Sequence, residues 1–245
     1  GLEKDLSGID AIVVLGGDGT IHELANGLLL RHSGAQDSLP PLGIIPLGSG
    51  NALASDFRQS QLRRGQLISM HKEIRTVVDW SLDRISQGHS CCIDSLEVTA
   101  AKQRVTAVAL MLYGLVGEVD ILAEPLRWLG PTRFDVVALW ELFKRKPMPP
   151  CEIRLTQPDG SVKQLTNNTQ AGGRAWLAMA MNLGQHMTDM QRSSPTSQLD
   201  DGHAELHIYM ADKPRRKLLK GFTLLPSGVT EAVAGAVETY QFTEV

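Results

Sequence analysis

Two short glycine-containing loops carry the residue types that could bind phosphate. The first begins the stretch GGDGTIHELANGL (16–28), and the second lies within PLGSGNALA (46–54). Glycine lets the backbone approach a ligand closely, and the free N–H groups at the start of a helix attract anions. Each loop follows an apolar run and precedes a helical pattern, so each predicts an anion site. Taken singly, either loop is equally well explained as an ordinary tight turn.

Asp18 lies between Gly17 and Gly19, where a negative charge would repel bound phosphate. A carboxylate in such a place is explained if it coordinates a metal or accepts a proton from an attacking hydroxyl. The pattern therefore favours phosphoryl transfer to an alcohol, with Asp18 as the general base. The commoner nucleotide motifs do not apply, because GxxxxGK[ST] is missing and GGDGTI does not satisfy GxGxxG.

The elements needed to position these loops alternate from Asp10 to about Leu82. Short β-branched runs between helical stretches are typical of a parallel sheet with crossover helices. We predict buried strands over AIVVL (11–15) and LGIIP (42–46), helices over TIHELANGLLL (20–30) and ALASDF (52–57), and a strand over TVVDWSL (76–82). Because parallel strands end at one edge of a sheet, both loops are expected to meet there.

The pattern changes after this region. Short strand candidates separated by turn sequences predict an antiparallel sandwich, interrupted by a helix around DVVALWELFKR (135–145). The candidates are LEVTA (96–100), VTAVAL (105–110), CEIRLTQ (151–157), GSVKQLT (160–166), AWLAMAMNL (175–183) and AELHIYM (204–210). The predicted fold is an α/β N-terminal domain, residues 1–82, followed by a mostly antiparallel β-sandwich domain, residues 83–245.

Composition limits the classes of partner. The 245 residues include 24 Lys plus Arg against 27 Asp plus Glu, which gives no basic field for nucleic acid. The three cysteines form neither an even disulfide framework nor a CxxC metal pair, so a reducing compartment is expected. With no signal peptide or membrane-spanning run evident, the prediction is a cytoplasmic protein, soluble or peripheral to a membrane.

With these motifs in place, the sequence resembles the diacylglycerol kinase catalytic superfamily and, within it, the sphingosine (sphingoid long-chain base) kinases. GSGNALA (48–54) is the form of the second loop in that branch, and YGLVGEVDILAEPLRWLGPTRF (113–134) is similar to a third motif. NAD kinases share a GGDG loop, but the element that follows it in them is not evident here. The resemblance implies ATP with Mg²⁺, a sphingoid lipid substrate and peripheral association with a membrane surface. A homodimer is left open.

The resemblance also assigns residues. Asp18 would accept the proton of the lipid hydroxyl, and Asp120 and Glu124 match acidic residues near the amino-alcohol head group. A protonated amine pairs with carboxylate and a triphosphate with guanidinium, although charges at this spacing are equally typical of a solvated helix face. No protein side chain is assigned to a metal. The nucleotide-binding set is Gly16, Gly17, Gly19, Thr20, Glu23, Gly48, Ser49, Gly50, Asn51, Arg127 and Arg133.

Departures from the branch leave alternatives open. Tyr113 and the pair Gly117-Glu118 replace the usual Trp and Ala-Asp, and Thr20 is typical of bacterial and diacylglycerol kinase loops. The substrate alternative is therefore diacylglycerol or another neutral lipid. The family's Asn-Pro strand before this region and Asp-Gly-Glu segment after it are not found, so we expect the middle of a longer kinase. A truncated member that binds nucleotide or lipid without turnover is the third hypothesis.

Three further stretches have competing interpretations. The apolar runs VALMLYGLV (108–116) and DVVALW (135–140) are candidates to line a lipid pocket, with plain core packing as the alternative. His203 and His207 are four apart, but on a strand that spacing spans about 13 Å, too far for one metal ion, so structural histidines are expected. DKPRRKLLKGF (212–222) predicts a helix with a solvated basic face, or else a patch drawn to anionic lipid.

Overall fold

A computed structural model describes residues 6, 8–29, 39–59, 74–100, 103–130, 132–144, 146–188, 191–192, 194, 197–214, 217 and 236–245. The helices and strands follow in chain order. They are β1 (Ile12–Gly16), α1 (Asp18–Leu29), β2 (Leu42–Pro46), α2 (Ala52–Gln59), α3 (Ile74–Gln87), β3 (Leu96–Ala100), β4 (Gln103–Ala107), β5 (Leu110–Gly114), α4 (Leu115–Ala123), α5 (Thr132–Lys144), β6 (Glu152–Thr156), β7 (Val162–Thr166), β8 (Trp176–Asn182), β9 (His186–Thr188), β10 (Gln191–Arg192), β11 (Ala204–Met210) and β12 (Val237–Phe242). A short 3-10 helix, Glu124–Leu129, joins α4 to α5, and another covers Thr169–Ala171.

The first part of the chain is the predicted parallel sheet with crossover helices. β1 and β2 pair in parallel, with Ile12 opposite Leu42, and α1 lies in the crossover between them. Val14 is the buried residue of β1, whereas Val13 is 43% and Leu15 62% exposed. The prediction of a fully buried β1 is therefore wrong, because β2 is its one strand neighbour among the described residues.

The predicted strand over residues 76–82 is wrong, since this stretch lies inside helix α3. Val77 and Ser81 are 0% and 1% exposed, and Ile85 follows at the same spacing, so the three form one face of a helix. A Cβ on Gly43 of β2 would lie 2.9 Å from Ile85 Cγ1. Close packing of α3 on β2 thus outweighs the local strand preference of the β-branched run.

The second part of the chain confirms the predicted mostly antiparallel β architecture. Its main sheet has the order β12-β11-β8-β5, with antiparallel pairing throughout, and β3-β4, β6-β7 and β9-β10 form separate antiparallel pairs. The single strand expected over residues 105–110 is two strands, because β4 ends at Ala107 and β5 begins at Leu110. β12 was not predicted from VETYQF, whose mixed polarity hides a strand at one end of the sheet.

Apolar side chains cover both faces of the main sheet. On one face α4 and α5 pack against Ala178, Ala180 and Tyr209, and on the other the β6-β7 hairpin packs against alternate residues of β8 and β11. The two apolar runs that were candidates for a lipid pocket supply Leu115 and Val137 to the first of these cores. Core packing therefore accounts for part of both runs.

Some predictions lie at or beyond the edge of what the structure describes. Of the basic segment 212–222, the described residues are 212–214 and 217, so the expected basic face lies outside them. The division between residues 82 and 83 stays a prediction, and it falls within α3. Within the described ranges, no helix is both long enough and apolar enough to cross a membrane.

Candidate active site

The first glycine loop joins β1 to α1 with a single intervening residue. Gly16 ends β1, Asp18 begins α1, and Ile21 N donates to Gly17 O at 3.1 Å. A Cβ on Gly16 would lie 2.6 Å from Thr20 Oγ1, so the turn closes tightly on the first turn of the helix. The N–H groups that begin α1 therefore lie at the carboxyl edge of the parallel sheet, where an anion is favoured.

The second glycine loop is closed by the side chain of Asn51. Its Oδ1 accepts from Gly48 N at 2.9 Å, and its Nδ2 donates to Gly48 O at 2.8 Å. Asn51 is 2% exposed and has φ 54°, a left-handed conformation that asparagine tolerates better than most side chains. Ser55 N donates to Asn51 O at 3.0 Å, which begins the bonding of α2. Asn51 thus fixes the shape of the loop. Its predicted contact with a nucleotide stays a prediction.

The two loops touch each other through their backbones. A Cβ on Gly48 would lie 2.3 Å from Gly17 Cα, and one on Gly17 would lie 2.8 Å from Gly48 Cα. Leu47 N also donates to Gly16 O at 3.0 Å. Neither Gly17 nor Gly48 has room for a side chain, and the structure brings together the two loops that the parallel-sheet argument placed at one edge.

The Asp18 carboxylate caps the helix that follows the other loop. Its Oδ2 accepts from Ala52 N at 3.0 Å and its Oδ1 from Leu53 N at 3.2 Å, at the start of α2. Burial raises the pKa of Asp18 above its usual 3.8, and the two backbone donors oppose that rise. The charge between the glycines therefore has a structural partner that the sequence did not reveal. A raised pKa also makes this carboxylate a stronger base.

The loops are packed on one side and open on the other. A Cβ on Gly50 would lie 3.0 Å from Asp18 Oδ2, whereas one on Gly19 would meet nothing within 4 Å. Gly19 and Thr20 are both exposed. Since the protein itself leaves room at Gly19, a glycine there suits a backbone that a ligand approaches.

Arg133 reaches the second loop from the other half of the chain. It lies on α5, is 7% exposed, and donates from Nη2 to Ser49 Oγ at 3.3 Å. Its Cζ lies 4.6 Å from the ring centroid of Phe134. Its Nε is buried and has no hydrogen-bond partner in the described part of the chain. Leaving such a donor unpaired is costly, and a bound anion would satisfy it.

Glu124 lies between the two arginines assigned to nucleotide phosphates. Its Oε1 is 2.5 Å from Arg127 Nη2, and its Oε2 is 4.0 Å from Arg133 Nη2. The Glu124 and Arg127 side chains are 54% and 73% exposed, so their ion pair adds little to folding stability. Glu124 thus contacts one arginine and approaches the other, and its assigned role near the lipid head group stays a prediction.

Asp120 and Glu23 stand apart from this group. Both are exposed, Asp120 on α4 and Glu23 on α1. Among the described residues, neither carboxylate takes part in a hydrogen bond or ion pair. Their assigned roles at the lipid head group and the nucleotide stay predictions.

Sequence reasoning missed Asn26, which docks α1 onto β4. Its Oδ1 accepts from Thr106 N and its Nδ2 donates to Thr106 O, both at 2.7 Å. This is the pairing that a neighbouring strand would offer. The available signal was the low helix propensity of asparagine. An asparagine inside a helix usually has a side chain that makes a specific hydrogen bond.

Asp56 on α2 is a second contact that the sequence did not reveal. Its Oδ1 accepts from Gln185 N at 2.9 Å and from His186 Nδ1 at 2.7 Å. His186 is 2% exposed. Through this carboxylate, α2 of the α/β part is joined to β9 of the antiparallel part.

Of the two histidines spaced four apart, His207 lies on β11, whereas His203 lies just before that strand. His207 on β11 is 0% exposed, and its Nδ1 lies 3.0 Å from Thr239 Oγ1. Burial lowers the pKa of His207 to about 4, although the Glu205 carboxyl lies 3.4 Å from Nε2. The described residues hold no group of three His, Cys, Asp or Glu side chains suited to one metal ion.

The donor set of the two loops fits the phosphates of a nucleotide. Backbone N–H groups at the start of α1 and the unpaired Nε of Arg133 offer fixed positive potential, which a triphosphate requires. Mg²⁺ keeps several water and phosphate ligands and needs few from the protein. Asp18 is the carboxylate placed where the two loops meet.

The chain is similar in sequence to proteins named as sphingosine kinases. The chain is 37% identical over 132 residues to sphingosine kinase 2 of Homo sapiens, which covers 54% of this chain and 19% of that protein. It is 26% identical over 252 residues to sphingosine kinase 1 of Arabidopsis thaliana, covering 91% and 49%. The chain therefore spans about half or less of the length of these relatives.

Solved structures show the same fold. The chain is similar to a diacylglycerol kinase from Bacillus anthracis str. Sterne, with a TM-score of 0.51 and 16% identity over 96% of this chain and 64% of that one. Residues 2–82 match the diacylglycerol kinase catalytic domain family, and both glycine loops lie inside the match. On these matches, residues 2–82 are similar to the diacylglycerol kinase catalytic domain, and the chain as a whole is similar to lipid kinases that carry it.

Proposed function

We propose that this chain is part of a lipid kinase that transfers the γ-phosphate of ATP to the primary hydroxyl of a sphingoid base. The contact between Arg133 Nη2 and Ser49 Oγ carries the proposal, because it sets a buried guanidinium against the glycine loop of the other half. Relatives named as sphingosine kinases support the substrate class.

The proposed chemistry uses residues from both halves. The two loops would hold ATP with Mg²⁺, which would supply the γ-phosphoryl group and leave as ADP. Asp18 accepts the proton of the lipid hydroxyl, a role that its raised pKa supports. Arg133 neutralises charge that develops on the transferred group, and Arg127 assists from the exposed side. Asp120, which is exposed on α4, is proposed to bind the ammonium of the head group.

Exposed apolar side chains support delivery of this substrate from a membrane. On α4, the 3-10 helix and α5, Ile121 is 74% exposed, Trp128 78%, Trp140 61% and Phe143 64%. Soluble proteins seldom expose so many large apolar groups on neighbouring elements, and tryptophan favours the bilayer interface. We therefore propose peripheral membrane association of a cytoplasmic protein through these elements.

A transfer assay tests the proposal. Labelled ATP is incubated with sphingosine, ceramide or diacylglycerol, using this chain and a version extended to the length of its relatives. Product from sphingosine supports the sphingoid kinase, and a product formed by the extended version alone assigns part of the site to the added segments. ATP binding without transfer to any lipid contradicts the enzymatic proposal.

One observation favours a neutral lipid as the second candidate substrate. Glu124 contacts Arg127 and approaches Arg133, so its charge is already compensated and less suited to an ammonium group. Competition between sphingosine and diacylglycerol decides between the two. If Asp120 binds the amine, Asp120→Asn raises KM for sphingosine and leaves KM for diacylglycerol unchanged.

A further inference from the structure

We infer that Asp56 is a positioning residue that holds the second glycine loop in register with Arg133. What the loop binds rests on the proposed function, whereas the action of Asp56 rests on its contacts alone. The carboxylate lies in the interface between the two halves, where the Asp56 and His186 side chains are 7% and 1% exposed.

The contact is directional and close. Oδ1 accepts both hydrogen bonds, from Gln185 N and from His186 Nδ1. A Cβ on Gly184 would lie 2.0 Å from Oδ2, so the turn before β9 approaches the carboxylate as closely as glycine allows. Two bonds from adjacent residues to one oxygen define where α2 sits on this turn.

The turn that receives Asp56 is itself held firmly in the antiparallel half. Leu183 N donates to Ala109 O at 2.9 Å, and Ser197 Oγ donates to Leu183 O at 3.1 Å. Gln185 Nε2 donates to Ser197 O at 2.9 Å. This turn therefore fixes the position of the Asp56 carboxylate relative to the half of the chain that carries Arg133.

The other end of α2 is the glycine loop. Asp56 lies four residues after Ala52, about one helical turn or 6 Å along the axis. Asp18 caps that first turn, and Asn51 closes the loop immediately before it. The first turn of α2 and the loop before it are short and held by hydrogen bonds. The distance between Ser49 and Arg133 therefore depends on where Asp56 docks.

The first test measures loop order by amide hydrogen exchange without ligand. Asp56→Ala removes both bonds and is expected to speed exchange in residues 47–53 by about tenfold or more, since the free energy of local opening falls. Asp56→Asn keeps Oδ1 and its shape, so exchange should stay near wild type. Asp201→Ala is the matched control, because Asp201 also accepts two backbone N–H groups and lies 3.7 Å from a histidine, but its donors are Gln198 and His203 and not the turn that receives Asp56.

The second test couples Asp56 to Arg133 through ATP binding. Asp56→Ala should weaken ATP binding by about tenfold, as small misplacement of binding groups is expensive. In an Arg133→Ala background the same change should add little, whereas a general loss of folding would lower binding in both backgrounds. Asp56→Ser repeats the measurement if the alanine variant does not fold.

The outcomes separate the two claims. Unchanged exchange in residues 47–53 of folded Asp56→Ala overturns the positioning role, and so does equal loss in Asp56→Asn or Asp201→Ala. Full additivity with Arg133→Ala overturns the link to the arginine. If the wild-type chain binds no ATP, the proposed function fails, while the exchange result still decides what Asp56 does.

Discussion

The two halves of the candidate site differ in the groups that form them: backbone contacts in one and long side chains in the other. In the α/β half, Gly17 and Gly48 meet backbone to backbone, and Asn51 and Asp18 bond to main-chain groups. In the antiparallel half, long side chains from α5 and the 3-10 helix reach across, as Arg133 does toward Ser49. The first half is therefore set by local sterics, and the second by how the domains dock.

This difference predicts different kinds of failure. A change in the loops meets immovable backbone, so it should affect folding and ligand binding together. A change at the exposed Arg127 or Glu124 should affect ligand binding with little loss of stability. A change at the buried Arg133 also removes its packing on Phe134, so some loss of stability is expected there.

The largest expected effect is that of Asp18→Asn. The variant removes the proposed base, so phosphoryl transfer should fall by roughly 10²–10⁴-fold. An amide also places N–H groups against Ala52 or Leu53, which should cost about 1 kcal/mol of stability. Wild-type transfer should decline as pH falls through the pKa of Asp18, which lies above 3.8. Labelled transfer and urea unfolding measure both effects, and preserved turnover would remove Asp18 from the mechanism.

His207 makes the antiparallel half sensitive to acid. Its pKa is about 4 in the fold, whereas the ordinary pKa of histidine is 6.5, so between these pH values the unfolded chain binds more protons. Stability should therefore fall as pH drops from 6.5 toward 4, by roughly 3 kcal/mol in the limit. Urea unfolding of wild type and His207→Gln at pH 7.5 and 4.5 checks this. An equal loss in both proteins would assign the acid sensitivity to other groups.

Gly48→Ala tests the backbone contact between the loops. The new Cβ would lie 2.3 Å from Gly17 Cα, and such overpacking should cost about 1–3 kcal/mol and impair ATP binding. Gly27→Ala is the control, because its Cβ meets nothing within 4 Å inside α1 and should stabilise the protein by about 0.5–1 kcal/mol. Unfolding curves that rank the two variants in the opposite order would contradict the proposed steric role.

The smallest effect should come from the arginines. Arg133→Ala is expected to weaken ATP binding by about tenfold, and Arg133→Lys should not restore it, since one ammonium cannot replace Nη2 and Nε together. Arg127→Ala should change ATP affinity less, because that side chain is 73% exposed. Calorimetric ATP titrations measure both, and an unaltered affinity in Arg133→Ala would refute its assignment.

Much of the fold was predictable because its signals are local. The strand LGIIP coincides with β2, and the glycine loops fall where strand and helix patterns meet. The stretch that became α3 was mispredicted, because its β-branched residues favour a strand until β2 supplies a helix-packing surface. Glu124 and Arg127 are local neighbours three residues apart, whereas Glu124 approaches Arg133 only because the chain turns from the 3-10 helix into α5.

The sequence by itself determined the loops and most of the helices and strands, since glycine content and hydrophobic period act over a few residues. Its short motifs also determined the resemblance to lipid kinases. Tertiary structure decided that Asp18 caps α2, that Asn26 pairs with Thr106 and that Arg133 meets Ser49. These last two pairs are separated by 80 and 84 residues, and Asp56 and His186 by 130. No local pattern encodes such partners, because a hydrogen bond depends on where two distant segments dock.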